Sequence, residues 1–104
     1  MKRQDVHTQA TQVFLDAANY IRKYGWQEKG MGQFGKRRCS MGAIASVYPK
    51  KANPALPALM YETLYKELNG LNLTQYNHKF KNGDAVINLF ERTALTLQDA
   101  PRSK

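Results

Sequence analysis

Apolar residues recur at three- and four-residue steps along most of this chain, with polar residues filling the remaining positions. Ala10, Val13, Phe14, Ala17, Ala18, Ile21 and Tyr24 form the first stripe, and Gln9, Gln12, Asp16, Asn19 and Lys23 occupy the other side. That spacing predicts a helix over residues 8–24. Arg22 and Lys23 fall in its last turn, where cations favour the negative end of the dipole, and Gly25 suits the position after the end. The next stretch, from Trp26 to Arg38, holds Gly30, Gly32 and Gly35. Glycine at this density loses too much backbone entropy to sustain a helix, so a long glycine-rich loop is expected, with a short extended piece around Gln33 and Phe34.

A short second helix should run from about Ser40, as its cap, to Tyr48, before Pro49 stops it. Asn53-Pro54 opens a third, unless Pro57 marks its true start; Leu56, Leu59, Met60, Leu64 and Leu68 line it, and Asn69-Gly70 ends it. Residues 71–83 carry Leu71, Leu73, Tyr76 and Phe80 at irregular intervals, so no element is assigned there, and Asn82-Gly83 reads as a turn. Asp84 then caps a fourth helix to about Leu97, with Val86, Ile87, Phe90, Ala94 and Leu97 facing inward. The prediction is a mainly all-α fold: a single domain of about four helices over residues 8–99. An N-terminal arm, 1–7, precedes it and a disordered tail, 100–104, follows.

Composition leaves this picture intact, but charge sharpens it. Between Arg22 and Lys51 stand eight basic residues against one acid, Glu28, which gives this segment seven of the chain's eight net positive charges. Five of the seven glycines and the only Trp and Cys share the segment. Such a field attracts polyanions or an acidic protein surface, and it speaks to association rather than to fold. Lys36, Arg37 and Arg38 precede a helix N-terminus, whose free N–H groups would add to an anion site. Lys29, Gln33, Phe34, Lys50 and Lys51 complete the candidate binding set, and Trp26 and Phe34 are candidate stacking surfaces for unpaired bases. Trp26 reads more readily as a core plug, given how deeply Trp is usually buried.

Catalysis finds little support. Cys39, at a helix start beside Arg37 and Arg38, has the setting that activates a thiol; His78 would be its base, and Asn77 or Gln33 the orienting group. One mid-chain Cys and one His co-occur easily by chance, and buried structural Cys is common, so a Cys39-dependent hydrolase is only an alternative. One Cys and two distant His do not make a zinc site, and no cofactor motif stands in a suitable context. The lone Cys39 fits a reducing cytosol, no apolar run is long enough for a membrane span, and a cytoplasmic protein is expected.

Several short motifs occur together: Gly25-Trp26, Cys39-x-x-Gly42-Ala43, Tyr76-Asn77, and a last helix reading Ala85-Val86-Ile87-Asn88-Leu89-Phe90-Glu91-Arg92-Thr93-Ala94. Over residues 13–97 the chain resembles an uncharacterised family of small bacterial and phage proteins. His78 stands where that pattern has Asp after Asn77. The resemblance implies one compact domain and a phage or mobile-element setting, in which small proteins act on a host machine. Two functions follow from the residues. One is a non-enzymatic protein whose 22–51 face contacts nucleic acid or a host nucleoprotein complex. The other is a module that docks on an acidic protein surface without binding free nucleic acid.

Overall fold

A computed structural model describes residues 5–28, 32–33 and 35–99. Five helices appear in it: α1 Val6–Tyr24, α2 Ser40–Val47, α3 Leu56–Glu67, α4 Leu73–Phe80 and α5 Gly83–Asp99. Among the described residues there is no strand, only an isolated parallel bridge between Trp26 and Arg38. The all-α expectation agrees with this, while the count of four helices does not.

The additional helix is α4, in the stretch to which the sequence assigned no element. Leu73, Tyr76 and Asn77 form its buried side. Its start is a capping box: Asn72 accepts from the Gln75 N–H, and the Gln75 side chain accepts from the Asn72 N–H. Its end carries no glycine. Lys81 adopts the left-handed conformation instead, with φ 49°, so the usual stop signal is missing from the sequence.

Other boundaries shift for local reasons. Asp5 accepts from His7 N–H, so α1 begins at Val6 and takes in the last two residues of the expected arm. Cys39, not Ser40, occupies the cap position of α2, and the helix stops at Val47 because Tyr48, ahead of Pro49, is extended. Pro57 lies in the first turn of α3, as the later of the two predicted starts required. Asn82, rather than Asp84, caps α5: its Oδ1 accepts from the Ala85 N–H at 2.7 Å. The expected tail, residues 100–104, lies outside the described residues.

The core is built on α1 against α5. Phe14 and Phe90 are fully buried with ring centroids 5.7 Å apart. Ala10, Ala17, Ala18 and Ala94 keep the two helices close, and Val13, Ile21, Val86, Leu89 and Leu97 fill the space around the rings. Leu56 and Met60 of α3 and Leu73 and Tyr76 of α4 close the cluster. The result is a compact small domain with a Cα radius of gyration of 13.3 Å.

Replacing Phe90 by Ala removes a ring that has no solvent contact and should cost about 3–5 kcal/mol in urea unfolding. Asn72→Ala, which removes a surface cap, should cost about 1 kcal/mol in the same measurement.

Candidate nucleic-acid interface

Two polar side chains on the buried side of α1 fix where the charged segments lie. The Gln9 side chain donates from Nε2 to the Lys51 carbonyl at 3.3 Å, and its Oε1 accepts from the Asn53 N–H at 2.8 Å. The Tyr20 hydroxyl accepts from the Gly35 N–H and donates to the Lys36 carbonyl, both at 2.9 Å. Each side chain therefore bonds both a backbone carbonyl and an N–H of a connecting segment, and the Tyr20 hydroxyl also lies 3.5 Å from the Gln33 carbonyl. The periodicity had placed Gln9 on the solvent side of its helix, whereas it is buried. A polar residue on a buried stripe signals such a partner, since buried amides are hydrogen-bonded.

Lys36 and Arg37, beside the Tyr20 anchor, are exposed. The aliphatic part of Arg37 lies over Gly25, where a Cβ would sit 2.9 Å from its Cγ. Gly32 has φ +69°, and a Cβ there would fall 2.2 Å from the Arg37 carbonyl oxygen, so only glycine permits this approach. Tyr24 packs on the Tyr20 ring at 4.7 Å, and Lys23 Nζ lies 5.2 Å from the Tyr24 centroid. Lys23, Lys36 and Arg37 thus gather at the C-terminal end of α1. Lys50 and Lys51, also exposed, lie at its other end.

Not every predicted cation belongs to this surface. Arg38 is half-buried and turned along α2, donating to Ser46 Oγ at 3.0 Å and to the Gly42 carbonyl at 3.3 Å. It braces α2 rather than facing a partner. Arg22 is paired with Glu91 at 2.7 Å across the α1–α5 junction. Gln33 is exposed, while Lys29 and Phe34 lie outside the described residues. Among the described residues the ion pairs involve His7, Arg22, His78 and Arg92, and none involves Lys23, Lys36, Arg37, Lys50 or Lys51.

Trp26 packs against the core, with Gly83 abutting its Cβ and its Nε1 3.4 Å from Ser40 Oγ. Ser40 in turn donates to Asn77 Oδ1 at 2.5 Å in a buried contact. Asn77 thus holds α4 to the start of α2, and it does not serve Cys39. His78 meets Glu28 at 3.0 Å on the surface, with 70% of its side chain exposed, whereas Cys39 is buried. Among the described hydrogen bonds none joins Cys39 to His78 or Asn77; those two residues are engaged with Glu28 and Ser40 instead.

A second surface feature escaped the sequence reading. Met41, Tyr61, Leu64, Tyr65 and Leu73 line an open, mainly apolar groove of about 320 Å³, and the rings of Tyr61 and Tyr65 stack at 6.0 Å. Its signal was present as Tyr61 and Tyr65 at an i,i+4 spacing on the α3 face opposite Leu56 and Met60.

Among the described residues no group of three or more His, Cys, Asp or Glu could hold a metal ion, and no helix is long and apolar enough to cross a membrane. Fold and surface together define a small all-α domain with exposed cations at both ends of its first helix, Lys23, Lys36 and Arg37 at one and Lys50 and Lys51 at the other. Further exposed lysines, Lys66, Lys79 and Lys81, stand on α3 and α4. The chain belongs to the Family of unknown function (DUF6197), whose model matches residues 5–96. No curated protein and no solved structure matches it.

Tyr20→Phe keeps the ring packing but leaves the Gly35 N–H and the Lys36 carbonyl without their partner. It should lower stability by about 1–2 kcal/mol and speed amide exchange at Gly35, read by hydrogen–deuterium exchange.

Proposed function

We propose that this protein is a non-enzymatic binding module whose exposed cations, Lys23, Lys36, Arg37, Lys50 and Lys51, contact the phosphates of a nucleic acid. The observation that carries the reading is the division among the basic residues. Arg22 and Arg92 are neutralised by carboxylates and Arg38 is turned inward. Lys66, Lys79 and Lys81 are exposed on α3 and α4, while these five are exposed, enter no described ion pair and lie on α1 or on segments bonded to it. A polyanion is the partner that such a surface accommodates at least cost, with backbone contacts giving affinity and little sequence preference. This activity suits a small accessory or inhibitor of a host nucleoprotein complex, acting in the cytoplasm, as the resemblance to phage proteins implies.

One observation favours a second reading, in which the partner is an acidic protein surface and free nucleic acid is not bound. The groove at Met41, Tyr61 and Tyr65 exposes apolar surface that a protein partner would cover. Pull-down from a lysate with and without nuclease separates the two, because a complex with a protein alone survives digestion.

For the first reading, the informative variant is Lys36→Ala/Arg37→Ala, which leaves the structural Arg38 in place. Five neutralised phosphates should make affinity fall about 500-fold between 50 and 200 mM salt, and three should make it fall about 40-fold. Fluorescence anisotropy with a mixed-sequence duplex oligonucleotide checks this. A variant that binds with the parent's affinity and salt dependence removes the reading.

A further inference from the structure

The two anchors on α1 also set a distance. Gln9 and Tyr20 are eleven positions apart. In an α-helix that is about 16 Å of rise and within about 20° of a whole number of turns. The backbone of Lys51 and that of Lys36 are hydrogen-bonded to these two side chains, so both cationic segments attach to one face of α1. Helix α2 lies between them on that face and runs antiparallel to α1: its N-terminal side follows the Tyr20 anchor, and Val47 and Pro49 lie beside Gln9, Val13 and Asp16. The molecule presents two cationic clusters on one side, joined by a helix made slim by Gly42, Ala43 and Ala45.

We infer that this face fits duplex DNA, with Lys23, Lys36 and Arg37 on one phosphate bank of the major groove and Lys50 and Lys51 on the other. The inference rests on the nucleic-acid reading above and narrows it. The major groove of B-form DNA is about 12 Å wide, and adding roughly 3 Å for the phosphate at each edge puts facing phosphates about 18 Å apart. A spacing of about 16 Å between backbone anchors, extended by flexible lysine side chains, meets that separation. The minor groove, about 6 Å wide, is too narrow for it, and the major groove of A-form RNA is deep and narrow.

The described aromatic residues of this face argue in the same direction. Single strands are held by base stacking on open rings. Trp26, Tyr24 and Tyr48 are instead partly buried against the core, and Trp26 is further occupied with Ser40. Asp16 is the one carboxylate within α1; it accepts from Gln12 and lies between the clusters, over the groove rather than over either bank. There it is spared direct contact with phosphate.

The test uses the full chain with three probes of matched length: a 16-base-pair DNA duplex, one of its strands alone, and the corresponding RNA duplex. Affinity is read by fluorescence anisotropy over a salt series. The DNA duplex should bind at least about tenfold tighter than either alternative. Lys36→Ala/Arg37→Ala and Lys50→Ala/Lys51→Ala should each reduce the log–log salt slope on duplex DNA by about 1.8, and their combination by about twice that. Circular dichroism of each variant should match the parent, since all four side chains are exposed. Equal or tighter binding of the single strand or the RNA duplex overturns the groove inference while leaving the nucleic-acid reading in place. An unchanged slope in Lys50→Ala/Lys51→Ala also overturns it. Absence of binding to all three probes overturns both.

Discussion

Helix α1 supplies the constraint on which the rest of this structure depends. One side of it is committed to α5 through Phe14 and Phe90, which fixes the core. Its Gln9 and Tyr20 are committed to backbone groups of the segments that flank α2. Connecting segments normally satisfy their backbone in water or in local turns, so buried side chains that bond them over 15 or more residues are informative. They convert two lysine-bearing connectors from loosely placed chain into segments held at set points along a rigid rod.

The same arrangement sorts the charges. On the α5 side, Glu91 and Glu67 neutralise Arg22 and Arg92, and each exposed pair contributes little to stability, yet removes a cation from the pool open to a partner. On the α2 side Glu28 meets His78, and no described carboxylate pairs with Lys36, Arg37, Lys50 or Lys51. Two of the acids, Glu67 and Glu91, are engaged by arginines where α1, α3 and α5 meet, and Glu28 by His78, which leaves the lysines of the anchored connectors without a carboxylate among the described ion pairs. A field concentrated on one side steers an oppositely charged partner more effectively than the same net charge dispersed.

Much of this was legible in the residues, and the rest has identifiable reasons for being hidden. The stripes of α1 and α5 are long and strongly periodic, and they were readable in type, core face and approximate extent. Helix α4 is two turns long and ends on Lys81 in a left-handed conformation, so neither length nor a glycine stop advertised it, although Asn72 and Gln75 did spell a capping box. Charge density between Arg22 and Lys51 was visible, but its division was not. The Arg22–Glu91 contact spans 69 positions, and nothing local distinguishes Arg38, which braces α2, from Arg37, which is exposed. Gln9 looked like an ordinary surface residue because its partners, at Lys51 and Asn53, come from a distant part of the chain.

Arg38 shows what this arrangement costs and what would relieve it. Its guanidinium lies alongside α2, bonded to the Gly42 carbonyl and to Ser46 Oγ, and its neighbours in sequence are Lys36 and Arg37. Its Nε is buried without a hydrogen-bond partner, an expense that the bonds to Ser46 and Gly42 only partly offset. A fold selected for stability alone would place a carboxylate or a neutral side chain nearby, and none of the described ion pairs does so. The repulsion among these groups is present in the free protein and falls when an anion arrives. A polyanion that binds the folded chain and not the unfolded one must then stabilise it, in proportion to the logarithm of its concentration above the dissociation constant. The electrostatic cost carried by residues 36–38 and the proposed phosphate contacts are thus two sides of one free-energy balance.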